Sequence, residues 1–176
     1  MAFGHRDRML DANRGYNPQL RARMRGVLAH CHANGTKIVT NMGAANPVGA
    51  AQAVRRHARE SGLGDLHCAV VTGDDVSDLI REQPQLPLME SGEPLESLLP
   101  RMVSANAYLG ADVVCRALAT GARLVLTGRV ADPSLFLAPA IHHFGWSYDD
   151  LPRLAAGTAA AVARTGTEAV AGLSTG

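Results

Sequence analysis

The stretch VLTGRVADPSLFL, Val125 to Leu137, sets an arginine and an aspartate into a short loop between two apolar runs. Arg129 can bind an anion or polarise a carbonyl, and Asp132 can move a proton, which together suit chemistry at a small acid or thioester. A second acidic pair, Asp74 and Asp75 in VVTGDDV, follows another apolar run that ends in Thr-Gly. TNMGAANP contributes Asn41 and Asn46, and SANAYLG contributes Ser104, Asn106 and Tyr108. Polar groups at this density are costly to bury unless they pair with one another or with a ligand. On this reading Asp132, Asp74 and Arg129 are the catalytic candidates. Asn41, Asn46, Asp75, Asn106, Tyr108 and Gly128 are the substrate-binding ones, with the glycine allowing close approach. Each has a plainer reading: Asp132 as an N-cap before Pro133, Asp74 or Asp75 as the cap of a short helix, Arg129 as the partner of Asp132, and Tyr108 and Asn106 as core residues.

The elements that must position these loops are legible in the pattern. Leu20, Met24, Val27, Leu28 and Cys31 recur at helical spacing, and Asn34-Gly35 supplies a stop, so a helix is expected from Pro18 to His32. KIVTN predicts a strand from Lys37 to Asn41, and Asn46-Pro47 opens a helix through about Glu60. HCAVVTGDD repeats the motif, with a short helix over Val76 to Arg81. The proline-rich QPQLPLMESGEP reads as a surface loop. RMVSANAYLG, Arg101 to Gly110, reads as a further strand before a helix from Ala111 to Thr120, whose Val114, Ala117 and Leu118 share one face. RLVLTG is the last strand. Alternating strands and helices predict one α/β domain over residues 1–176, a Rossmann-like parallel sheet with helices on both faces. Ligands in such sheets lie beyond the carboxyl ends of the strands, where the four polar loops would converge.

Composition removes several classes of function. A net charge of +1 and 4% aromatic residues give no footprint for nucleic acid. Cys31, Cys68 and Cys115 have neither disulfide-scaffold density nor metal-ligand spacing, which predicts a reduced, cytoplasmic protein. The opening MAFGHRDRML mixes charges with scattered apolar residues, and no run reaches the roughly eighteen apolar residues of a membrane span. His30, Cys31 and His32 do not face one another on a helix, so no metal is expected there. His142 and His143 read as the end of a helix, where a cation suits the dipole. There is no Gly-rich phosphate loop and no nucleophile elbow, and no cofactor is assigned.

TKIVTNMGAANP, VVTGDDV, SANAYLGADVV, LVLTGRVADPSLFLAPAIHHFGW and DDLPRLAAGT, in that order from about Tyr16 to Thr158, resemble the AtuA-like family of acyclic terpene utilisation proteins. The resemblance implies a place in the catabolism of acyclic terpenoids, or of branched acids carried as coenzyme A thioesters. It further implies an internal portion of a longer protein, lacking an upstream glycine-rich strand. After Gly157-Thr158 the chain reads AAAVARTGTEAVAGLSTG, where the family continues with Glu-Cys and Gln-x-Thr-Gly-Gly. One sheet edge should then be unpaired or covered only by the segment before Tyr16, and the chain prone to self-association as a homo-oligomer. Three functions stay open: an enzyme acting on a small carboxylate or acyl-coenzyme A, a noncatalytic subunit of an acyl-thioester-processing complex, or an inactive truncated fragment.

Overall fold

The computed structural model describes the backbone of residues 2–174 and the side chains of residues 3–163. Three apolar runs, β1 (Ile38–Thr40), β2 (Cys68–Val71) and β3 (Leu124–Thr127), pair in parallel in the order β1-β3-β2. Leu124 faces Ile38 on one side and Cys68 on the other, so the Thr-Asn and Thr-Gly ends reach the same edge, as expected. Every residue of the central β3 is buried. That is why its sequence is a continuous apolar run rather than an alternation.

The pleat sorts β3 between two cores. Leu124 and Leu126 join Leu20, Met24 and Leu28 of α2 (Leu20–Ala33) and Ala50, Ala51, Val54 and Ala58 of α3 (Pro47–Glu60). Val125 joins Val114, Ala117 and Leu118 of α5 (Ala111–Ala119) and Ala138 of α6 (Ser134–Phe144) on the opposite face. Small residues on α3 bring it close to the sheet. The crossover from β1 to β2 passes beyond β3, and the one from β2 returns to it. Reversing direction with crossovers of one hand puts their helices on opposite faces, as observed. α6 ends at Gly145, whose left-handed backbone (φ 62°) closes the helix. α7 (Leu151–Ser174) follows, and residues 159–174 of the stretch after Thr158 lie on it, with the side chains past residue 163 outside the described residues.

One expectation needs correction. Arg101 to Gly110 is not a strand: it holds part of a 3-10 turn (Leu99–Arg101) and then a lacing loop. Val76 N donates to Ala105 O, Ala107 N to Asp74 O, and Leu109 N to Arg129 O, so its main chain is tied to the loops after β2 and β3. Cross-links to loops on two strands leave no run of residues to form a ladder. The segment before Tyr16, in turn, forms a helix, α1 (Ala2–Leu10), docked on a loop. Arg8 Nη1 donates to Ala45 O at 2.9 Å, and Ala45 N donates to Gly15 O. The remaining helix, α4 (Ser77–Arg81), is shorter by one residue than expected.

Candidate functional site

The carboxyl ends of the three strands carry the loops 41–46, 72–76 and 128–133, with 104–109 laced across the last two. Asp74 is the knot of this rim. Its carboxylate is buried (6% exposed), and Oδ2 accepts from Arg129 N at 2.8 Å and from Asn106 Nδ2 at 3.1 Å. Two donors from two loops therefore hold one anion. Gly128 makes this possible, because a Cβ there would lie 2.7 Å from the Asp74 carboxyl carbon.

Arg129 is positioned by the same knot through its main chain, while its side chain runs out over Tyr108, the guanidinium carbon 5.1 Å from the ring centroid. Tyr108 is itself exposed rather than a core residue. Among the described residues no carboxylate pairs with Arg129, so it is not the partner of Asp132. Asp132 instead accepts from Asn41 Nδ2 at 3.2 Å, a bond that joins the loop after β1 to the loop after β3.

The capping roles come out differently from the sequence expectation. Pro133 occupies the cap position of α6 with helical backbone (φ −58°, ψ −26°), and no side chain caps the helix. Because the turn begins at the proline, the Asp132 carboxylate lies one residue too early and reaches across to Asn41. In the loop after β2, Val76 takes the cap position of α4 without a side-chain bond. Asp75 Oδ1 accepts from Ser77 N at 3.1 Å just ahead of it, and Asp74 is turned toward β3.

Asn46, expected to bind substrate, instead caps α3 and ties down a neighbouring turn. Oδ1 accepts from Gly49 N at 2.9 Å, while Nδ2 donates to Ala12 O and Arg14 O, each at 2.7 Å. Both amide donors are thus committed inside the fold, and the residue is 5% exposed. Beside it Ala44 adopts a left-handed backbone (φ 47°), a strained conformation for a residue with a Cβ, in the tight turn into α3.

Sequence reasoning missed His5. It is buried on α1, its Nδ1 lies 3.9 Å from Asp75 Oδ2, and its Nε2 is enclosed without a hydrogen-bond partner. No pattern pointed to it, since the large apolar residues of α1, Phe3, Met9 and Leu10, face solvent and the helix inverts the usual amphipathic rule. Burial tends to raise the Asp75 pKa, but hydrogen bonds from Ser77 and the nearby His5 and Arg8 outweigh it and hold the carboxyl below its ordinary range. Elsewhere, burial pushes the Cys68 thiol up to about 11, which keeps it protonated and unreactive at neutral pH. Among the described residues no three His, Cys, Asp or Glu side chains converge as metal ligands, and no helix is long and apolar enough to cross a membrane.

An arginine over a tyrosine and an aspartate held by an asparagine thus stand at the carboxyl end of the parallel sheet of an α/β protein. The profile of the family described as "Acyclic terpene utilisation family protein AtuA" matches residues 1–166, and the chain belongs to that family. No curated protein and no solved structure matches it.

Proposed function

We propose that the chain binds a small carboxylate or acyl thioester, of the kind met in breakdown of acyclic terpenoids and branched acids, in a Rossmann-like crevice between the ends of β1 and β3. The helix after β1 lies on one face of the sheet and the helix after β3 on the other, so the ends of these strands form a switch point of the kind where such sheets take ligands, with the Asn41–Asp132 bond across it. The observation that carries the reading is the Arg129 guanidinium, stacked on Tyr108 and without a carboxylate of its own. Stacking orients the planar fork while leaving its N–H edges for an anion or a carbonyl. Asp132, held by Asn41, is the group placed to move a proton, and Asp74 with Asn106 fixes the Arg129 main chain.

Titration of short branched carboxylates and their coenzyme A thioesters tests this. Arg129→Lys keeps the charge but loses the fork, so affinity should fall about tenfold with the melting temperature unchanged. Asp132→Asn keeps an oxygen acceptor for Asn41 but cannot take a proton, so binding should persist while turnover is lost. Equal affinity in the wild type and Arg129→Lys would sink the reading. A second reading, a noncatalytic subunit, draws on the exposed Phe3, Met9 and Leu10 of α1. It predicts ligand binding with no turnover to lose.

A further inference from the structure

α2 and α3 lie side by side on one face of the sheet, and the groove between them is lined by arginines that have no carboxylate partner among the described residues. Arg21, Arg25 and His57 line one cleft of about 300 Å³, with Glu60 its one acidic wall. Arg21 is shared with a second cleft of about 240 Å³, whose lining includes Arg56, Gln52, Tyr16 and Asn13. Arg21 is thus a common wall of two adjoining clefts, taken together as one groove.

The pairing of the neighbouring arginines makes this groove specific. Arg55 on α3 grips Asp65 through the Nε/Nη2 edge of its guanidinium, with Nη2 2.8 Å from Oδ1 and 2.9 Å from Oδ2 and Nε 3.3 Å from Oδ1, and Arg59 reaches the same carboxylate at 3.6 Å. Among the described residues no carboxylate pairs with Arg21, Arg25 or Arg56. Arg21 and Arg25 stand four apart on one helix, where like charges repel. A fold with a net charge of only +1 has gathered three arginines here against the single carboxylate of Glu60. Asn13 and Tyr16 belong to the turn that Asn46 clamps through Ala12 O and Arg14 O, so the upper end of the groove is held rigid against the loop after β1.

We propose that this groove is a binding site for a di- or triphosphate group. Planar guanidinium forks on two helices match adjacent phosphates, the tyrosine and asparagine add neutral donors, and no apolar body is needed to fill so polar a cleft. The chain lacks a glycine-rich phosphate loop, so recognition here is by side chains rather than by main-chain N–H groups. The phosphate could be free or the nucleotide end of an acyl carrier, and the site stands independently of the rim reading.

Calorimetric titration of the whole chain with pyrophosphate, ADP and coenzyme A, at low and at physiological salt, tests it. Pyrophosphate should bind, with affinity falling as salt rises. Arg21→Gln and Arg56→Gln should each weaken it about tenfold, while Arg55→Gln, already committed to Asp65, and Arg129→Lys should not. Tighter binding of coenzyme A than of pyrophosphate assigns the site to a nucleotide-linked carrier, and equal binding assigns it to the phosphates alone. Equal loss in Arg55→Gln would mean a diffuse surface field and overturn the proposal. Loss confined to Arg129→Lys would move the anion to the rim, overturning this site while leaving the rim reading intact. All these side chains are at the surface or partly so, and an unchanged melting temperature confirms that the variants fold.

Discussion

At the scale of single residues, the rim works by close approach. Gly128 is where a side chain cannot go: a methyl group there overlaps the Asp74 carboxyl, which is pinned by Arg129 N and Asn106. Gly128→Ala should therefore cost about 1–3 kcal/mol, read as a lower urea midpoint, and Arg129 should lose its placement with it. An unchanged midpoint would show that Asp74 moves freely. Asp75 gives a pH signature. Its carboxyl sits below the ordinary carboxylate range, so the stability it contributes is present above about pH 4 and lost as pH falls through the folded value. Urea melts of the wild type and Asp75→Asn should differ at neutral pH by less than about 1 kcal/mol, since the side chain is half exposed, and should converge in acid. A gap independent of pH would mean that the charge contributes nothing. These residues could be named from the sequence because Asp and Arg stand out in short loops, but their partners could not. Asp132 and Asn41 meet only because β1 and β3 are neighbours, and Asp74 meets Arg129 N only because β2 is the other neighbour.

At the scale of elements, Asn46 joins three jobs: it caps α3, and its amide holds both ends of the turn that leads from α1 toward α2. Replacing it with aspartate separates them. The cap survives, because either oxygen can accept from Gly49 N, but the carboxylate cannot donate to Ala12 O and Arg14 O. Asn46→Asp should thus leave α3 protected in hydrogen exchange while amides of α1 and residues 11–17 exchange faster. Uniform loss of protection across the sheet would refute this division. The elements that the sequence revealed were α2, α3 and α5, whose burial follows the helical period, the strands β1, β2 and β3, read from short apolar runs ending at a threonine and a turn residue, and α4 and α6, read from the acidic and proline residues ahead of them. Arg101 to Gly110 misled because its Val103, Ala105 and Ala107 alternate with polar residues as a strand's would. Its main-chain bonds go to the loops after β2 and β3 instead. α1 was hidden because its exposed side is the oilier one.

At the scale of the whole molecule, the order β1-β3-β2 has a consequence for how the chain comes together. β1 and β2 never pair with each other, and each meets only β3, so the sheet has a single keystone supplied late in the sequence. A nascent chain that has emerged as far as α4 holds two strands with nothing to join them, and the core under α2 and α3 lacks Leu124 and Leu126. Closing those long loops is entropically slow, and until it happens the apolar stripes of α2 and α3 are open to other chains. Synthesis past Thr127 then lets one strand complete both pairings and divide the two cores at once. The same strand carries Gly128 and Arg129 at its end, so the moment that makes the sheet also delivers the arginine to the rim. The rim therefore cannot be assembled early, because its loops are brought together only when β3 joins the sheet.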